Sequence, residues 1–324
     1  MQSMNRYRVL LTDYAWPDLE IERAILAEYD AELLVAPTSD SATLVRLAAD
    51  ADAIMTNWAD VPAAVIDAAP NCRIISRLGI GLDNIDVGRA TERGIPVTNV
   101  PDYCLTEVAE HTLALLLALA RKLPTFDANA RRGRYDLAAG LPLRRIEGQT
   151  LGIIGLGRIG CRVAEKALAL GLRVIATSRS RREPLPGVAW ATLDELLATS
   201  DFVSLHVPLT EATRPLIGAA ELARLKPTTF LINTARGGLL DHAALAAALA
   251  ANRLAGAALD VQDREPPDLA QPPYNDPRVL VTPHAAFYSE ESVAELRRRA
   301  AQQVGVRLAG GRPESVVNPV VLGP

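Results

Sequence analysis

The stretch TLGIIGLGRIG (150–160) decides the fold. An apolar run ends at Gly155, and Gly155, Gly157 and Gly160 then form G-x-G-x-x-G at the mouth of a helix. The glycines permit a tight turn and let backbone N–H groups approach a pyrophosphate, while the helix N-terminus favours negative charge. A lone G-x-G-x-x-G is a weak signal. With a strand before it, a helix after it and a second strand about 20 residues on, it becomes specific. A glycine-rich turn with no ligand is the competing reading, and this context disfavours it.

Outward from that loop, short β-rich runs alternate with helical stretches along nearly the whole chain. Upstream, RVLLTD (8–13), AELLVAP (31–37), DAIMTN (52–57), RIISRLG (73–79) and IPVTNV (95–100) read as strands. Downstream of TLGIIG come RVIATS, DFVSLH, TTFLINT, LAGAALDV and RVLVTP. Such alternation predicts parallel, doubly wound sheets. A long helix is expected over 105–123, a polar segment after it, and a final amphipathic helix over 289–308. The first series has no glycine fingerprint, and the tail RPESVVNPVVLGP belongs to no further α/β unit. The expectation is therefore an α/β chain of two Rossmann-like, doubly wound parallel-sheet domains with a cleft between them. Residues 1–101 with 290–324 would form a discontinuous, flavodoxin-like substrate domain, and 102–289 the NAD(P)-binding domain. Chemistry is expected in the cleft.

The totals agree with a two-domain soluble protein. The chain has 324 residues, 49% hydrophobic and 22% charged, with a net charge of −4. That balance argues against a nucleic-acid binder. Cys72, Cys104 and Cys161 are widely spaced and read as reduced core thiols, which with the lack of a signal peptide suggests a cytoplasmic protein. The most apolar stretch, TLALLLALA (112–120), is far shorter than the ~20 residues of a membrane span. No metal-ligand spacing and no G-x-S-x-G elbow appears.

The four histidines are His111, His206, His242 and His284. His111 falls within the core helix and reads as structural. His242 follows Asp241 at a helix start and reads as a cap neighbour. His206 ends DFVSLH and reads as a packing or orienting group. His284 ends the last strand of the second series, where a side chain faces the ligand crevice and can act as acid or base. Arg236 follows FLINTA at another strand end, where a guanidinium can bind a carboxylate and polarise a carbonyl. Glu265, after a third strand, can pair with a histidine and orient it. Each has a bland alternative: a structural histidine, a helix-entry arginine, a solvated loop carboxylate. Three strand ends delivering Arg, Glu and His together are hard to reconcile with all three bland readings.

With these residues on view, the sequence resembles the D-isomer-specific 2-hydroxyacid dehydrogenase family over nearly its whole length. The motifs are GIGLDNIDV (79–87), GIPVTNVP (94–101), TEVAEHTLALLLALAR (106–121), TLGIIGLGRIG (150–160), FLINTARGGLLD (230–241), ALDVQDREP (258–266) and VTPHAAFYSEES (281–292). HAAFYSEES and GGRPESVVN (310–318) look most like the branch containing the C-terminal binding proteins. The resemblance implies reduction of a 2-oxo acid of the glyoxylate or hydroxypyruvate type to the D-2-hydroxy acid. His284, held by Glu265, would donate the proton, and Arg236 would bind substrate. Leu78, Gly79, Ile80 and Gly81 would present backbone N–H groups to the substrate carboxylate. For the cofactor it implies Val108, Gly155, Gly157, Arg158, Ile159, Gly160, His206, Val207, Pro208, Thr213, Thr234, Ala235 and Ala286, with Asp260 accepting from the nicotinamide carboxamide. It also implies a homodimer. Two departures stand out. Ile80 occupies the neighbourhood where phosphite-oxidising members carry lysine, and Phe287 stands where the binding-protein branch has tryptophan. A nucleotide-sensing scaffold of little turnover is the alternative function.

The remaining question is which nucleotide. NAD-using members end the RVIATS strand with Asp, and here the chain reads SRSRRE (178–183). Ser178 can donate to a 2′-phosphate that an acid would repel, and Arg179 can pair with it and stack on adenine. Arg181 or Arg182 could add charge. NADP(H) is therefore the expected cofactor, with NAD(H) possible. A basic surface turn that tolerates NAD is the alternative.

Overall fold

The computed structural model describes residues 7–179 and 185–323. The chain divides into two compact units, one of Met1–Tyr103 with Ser289–Pro324 and one of Cys104–Tyr288.

The first unit is built on a five-stranded parallel sheet: β1 (Tyr7–Leu11), β2 (Ala31–Val35), β3 (Ala53–Thr56), β4 (Ile75–Arg77) and β5 (Val97–Thr98), ordered β2-β1-β3-β4-β5. The inner strands are buried on both faces, so AIMT and ISR read as continuous runs rather than alternating ones. The strand order reverses beside β1, which places a crevice between the ends of β1 and β3. A nucleotide-binding unit keeps glycines there. This one fills the place itself, with Asp13 accepting from Asn57 N (3.0 Å), Trp58 N (2.8 Å) and Ala59 N (3.1 Å). The C-terminal helix Glu290–Leu308 completes the unit, capped by Ser289. It buries Val293, Leu296, Ala300, Val304 and Leu308 along one stripe. Arg297 on that face is nearly sealed and forks onto the fully buried Glu22, Nε to Oε1 at 2.9 Å and Nη2 to Oε2 at 2.8 Å.

The second unit holds a seven-stranded parallel sheet: β6 (Thr150–Ile154), β7 (Arg173–Thr177), β8 (Val188–Trp190), β9 (Phe202–Leu205), β10 (Phe230–Asn233), β11 (Gly256–Leu259) and β12 (Val279–Val281). The order is β12-β11-β10-β9-β6-β7-β8. Its switch point lies between β6 and β9, so the loops after those strands flank the ligand crevice. Two expectations need correction. The sequence reading gives six strands here and misses β8, three residues long after a Pro- and Gly-containing stretch and too short for a period to show. The helix expected over 105–123 ends at Ala120: Lys122 adopts a left-handed φ of 54°, and a second helix, Leu123–Arg131, starts with Pro124 in its first turn. Among the described residues, no helix is long and apolar enough to cross a membrane.

Candidate active site

The phosphate loop leaves β6 at Gly155, at φ 101°, and enters the helix Arg158–Ala169 with Gly157 as its N-cap. A Cβ on Gly155 would sit 2.5 Å from the carbonyl oxygen of His206, and one on Gly160 would sit 2.2 Å from that of Gly155. Packing therefore explains those two glycines. It does not explain Gly157, where a Cβ would meet no atom within 4 Å. An exposed glycine over open space at a helix N-terminus fits a loop shaped for a phosphate group. Arg158 is exposed beside it, and Ile159 is half-buried. Val207 packs on the loop, as its Cγ1 would lie 2.7 Å from a Cβ at Gly155. Pro208 is exposed, and its carbonyl accepts from the Thr213 hydroxyl at 2.9 Å, which closes that loop. His206 Nε2 bonds Ser204 Oγ at 2.8 Å, and burial pushes its pKa down to about 4. A neutral imidazole is thus held under the phosphate loop, an orienting rather than a proton-donating arrangement.

Three strand ends deliver the titratable set. After β12, His284 Nδ1 lies 2.8 Å from Glu265 Oε2. A carboxylate only accepts, so Nδ1 carries the proton and Nε2 is the nitrogen left for exchange. Burial alone would raise the Glu265 pKa. The His284 hydrogen bond and charge, the Gln262 N–H and the Arg236 charge outweigh it, leaving the carboxyl below its ordinary value. His284 has φ 54°, a left-handed conformation that costs a non-glycine residue about 1–3 kcal/mol. Phe287 meets its ring edge-on at 6.2 Å.

Arg236 follows β10 on a loop pinned by Asn233, a fully buried side chain that donates to Arg236 O (2.8 Å) and accepts from Ala235 N (3.0 Å). Thr234 is buried, its hydroxyl 2.9 Å from that of Thr112. Gly237 lets this loop touch the next one, since a Cβ there would lie 1.9 Å from the carbonyl carbon of Gln262. Gln262 in turn gives its backbone N–H to Glu265 at 2.9 Å and its amide to Leu259 O at 3.1 Å. Asn233 and Gln262 are supports the sequence reading missed. Their only sequence signal was position: polar residues inside or just after apolar strands.

Asp260, expected to accept from the nicotinamide carboxamide, is fully buried and also bonds the chain's own donors. Oδ1 accepts from Thr282 Oγ1 (2.5 Å) and Ala285 N (2.8 Å), and Oδ2 from Ala286 N (3.0 Å). Two turn N–H groups and a hydroxyl engage both oxygens. Val108, on the helix Leu105–Ala120, and Ala286 are likewise buried. His242 belongs elsewhere: it begins the helix His242–Ala250 and leans on Tyr274, and burial lowers its pKa against the opposing pull of Asp263 and Asp241.

In the first unit, Leu78–Gly81 follows β4. Val100 N donates to Gly79 O (3.0 Å), and the Asn99 amide donates to Ile80 O (2.7 Å). Among the described residues, the N–H groups of Gly79, Ile80 and Gly81 donate to no acceptor, as an anion-holding turn requires. Leu78 is buried, and its N–H donates to Thr56 O at 2.8 Å. The buried Arg77 guanidinium covers Gly79 and donates to Asn84 Oδ1 at 3.1 Å and to Leu78 O. The sequence reading passed over Arg77. Past β7, Ser178 is half-buried and Arg179 exposed; Arg181 and Arg182 lie outside the described residues.

The family model for the NAD-binding domain of D-isomer-specific 2-hydroxyacid dehydrogenases matches residues 113–286. The chain belongs to that family. A glyoxylate reductase of Korarchaeum cryptofilum is 39% identical to this dehydrogenase over 294 residues, covering 89% of this chain and 88% of the relative. A hydroxypyruvate reductase of Thermotoga maritima is 37% identical over 308 residues, 94% of this chain and 97% of the relative. An NADPH-dependent glyoxylate/hydroxypyruvate reductase from Sinorhizobium meliloti, solved with NADP and malonate, superposes with a TM-score of 0.84 at 31% identity over 96% of this chain and 97% of that one. A D-lactate dehydrogenase from Aquifex aeolicus, solved with NAD and lactic acid, gives 0.85 at 28% identity over 98% and 99%. The dehydrogenase therefore acts between a CH–OH group and a 2-oxo acid with a nicotinamide cofactor.

Proposed function

We propose that this enzyme reduces a small 2-oxo acid of the glyoxylate or hydroxypyruvate type to its D-2-hydroxy acid, with NADPH preferred. The observation that carries the chemistry is the His284–Glu265 pair at 2.8 Å, with the Arg236 charge acting on the same carboxylate. When bound, the reduced nicotinamide supplies a hydride to the carbonyl carbon. Gly155, Gly157 and Gly160, with the N-terminus of the 158–169 helix, would hold the pyrophosphate. His284 Nε2–H gives its proton to the oxygen as the C=O bond becomes C–O–H, and the ring is reprotonated from solvent. Glu265 keeps Nδ1 protonated and stabilises the imidazolium. Arg236 binds the carboxylate and opposes charge on the developing alkoxide. The N–H groups of Gly79, Ile80 and Gly81 are assigned to the substrate carboxylate.

The NADPH preference rests on Ser178 and Arg179 in place of an acid after β7. The named reductases among the relatives support the substrate class. A homodimer is proposed as well: Leu123, Tyr135, Leu137 and Leu141 are exposed large apolar side chains on one segment of the second unit, and light scattering would give the mass directly.

The test is a turnover panel of 2-oxo acids with NADPH and NADH on the wild type and on His284→Asn. Wild-type turnover of glyoxylate or hydroxypyruvate with NADPH favoured, and a loss of about 10²–10⁴-fold in the variant, is expected. Tight NADPH binding with no turnover on any 2-oxo acid sinks the proposal.

A further inference from the structure

We propose that His111 is a positioning residue for the reaction: through Thr282 it fixes the Asp260 carboxylate, which in turn holds the His284 turn. This rests on His284 being the proton donor. His284 adopts a left-handed backbone, uncommon for any residue but glycine, and the contacts around it hold it there. His284 N donates to Asp260 O at 2.8 Å, and the next two N–H groups, of Ala285 and Ala286, close on the Asp260 carboxylate. Whatever orients that carboxylate therefore orients the turn.

The carboxylate is itself aimed by a polar chain reaching the helix Leu105–Ala120. Thr282 Oγ1 lies 2.5 Å from Asp260 Oδ1 and 3.0 Å from His111 Nε2, and His111 Nε2 lies 3.5 Å from the same Oδ1. The proton count fixes every direction. A carboxylate only accepts, so the single Thr282 proton goes to Asp260. The Thr282 oxygen is then left as an acceptor, and His111 must present Nε2–H to it. The reverse tautomer would set two acceptors against each other. One residue along the helix, the Thr112 hydroxyl reaches Thr234 Oγ1 on the Arg236 loop at 2.9 Å. One helix thus braces both the β12 end carrying His284 and the β10 end carrying Arg236.

A histidine that merely fills space has a tautomer that does not depend on Thr282 and no selective effect on the chemical step. Two measurements separate the cases. The chain has four histidines, so long-range ¹H–¹⁵N correlation spectra of the purified protein are tractable. His111, assigned by the signal lost in His111→Gln, should be the Nε2–H tautomer. Thr282→Val should mix its tautomers and move the His284 resonances, and Thr282→Ser should do neither. In turnover, Thr282→Val and His111→Leu should each lower kcat by about 10- to 100-fold, the scale of a misplaced catalytic group, with KM for the 2-oxo acid nearly unchanged. His111→Gln, whose amide N–H can stand in for Nε2–H, should recover most of kcat. If Thr282→Val does not fold, the His111→Leu and His111→Gln pair decides. An Nδ1–H tautomer at His111, or full kcat in His111→Leu while His284→Asn is inactive, overturns the inference. Full activity in His284→Asn would instead overturn the assignment of His284.

Discussion

Burial lowers the His206 imidazole from its ordinary 6.5 to about 4, and this has a consequence for stability. Between those values the unfolded chain binds more protons than the folded one, so stability falls as pH drops through that window and is fully present above it. His206→Asn should flatten this part of the profile, read as urea midpoints across the window; an unchanged slope would assign the acid sensitivity to other groups. Ser178 and Arg179 carry a second prediction. Ser178→Asp with Arg179→Ala should swing the kcat/KM ratio toward NADH by about tenfold or more, because an acid repels a 2′-phosphate and the paired charge is gone. Strand-end position and charge act locally, so the places of Arg236, Glu265 and His284 after β10, β11 and β12 were legible in the sequence. The bonds of Asp260 to Thr282, Ala285 and Ala286 were not, because partners 22 to 26 residues away in sequence are brought together only by the fold. Asn233 and Gln262 escaped for the related reason that a buried amide looks like any polar residue until its partners are known.

At the scale of elements, the long apolar runs were readable and the short pieces were not. TLGII and FLIN carry enough contiguous β-branched and leucine residues to identify a buried strand. Val188–Trp190 has three residues and becomes a strand only by pairing with β7. The break after Ala120 is also a tertiary decision: Lys122 takes a left-handed conformation with its ammonium 5.2 Å from the Phe230 ring centroid, and a new helix begins. Contact between loops gives the prediction here. Gly237→Ala must push the Arg236 loop off the Gln262 loop, at about 1–3 kcal/mol for the overpacking, and kcat/KM should fall further than stability does. Melting temperature and kinetics on the same sample check this, and a variant with normal kinetics would show that the two loops need not touch.

On the scale of the whole chain, the first unit depends on closing its beginning against its end. The pair Arg297–Glu22 joins the C-terminal helix to the helix Glu20–Ala27 across 275 residues of sequence, with Glu22 fully buried. Arg297→Ala strands that carboxylate and should cost about 3–5 kcal/mol in urea unfolding, whereas replacing both partners with apolar residues should cost much less. Equal losses would mean that the pair itself, rather than the uncompensated charge, carries the stability. The two parallel-sheet domains and the family were determined by the sequence itself. Hydrophobic period, glycine spacing and strand-end residues are local properties that a linear string records. Tertiary structure alone decided that Asp13 fills the first unit's own switch point, that Asp260 turns inward to hold the His284 loop, and that His111 and Thr112 reach two different strand ends. Those outcomes depend on which donors and acceptors, distant in sequence, meet out of reach of water, where each must find a partner.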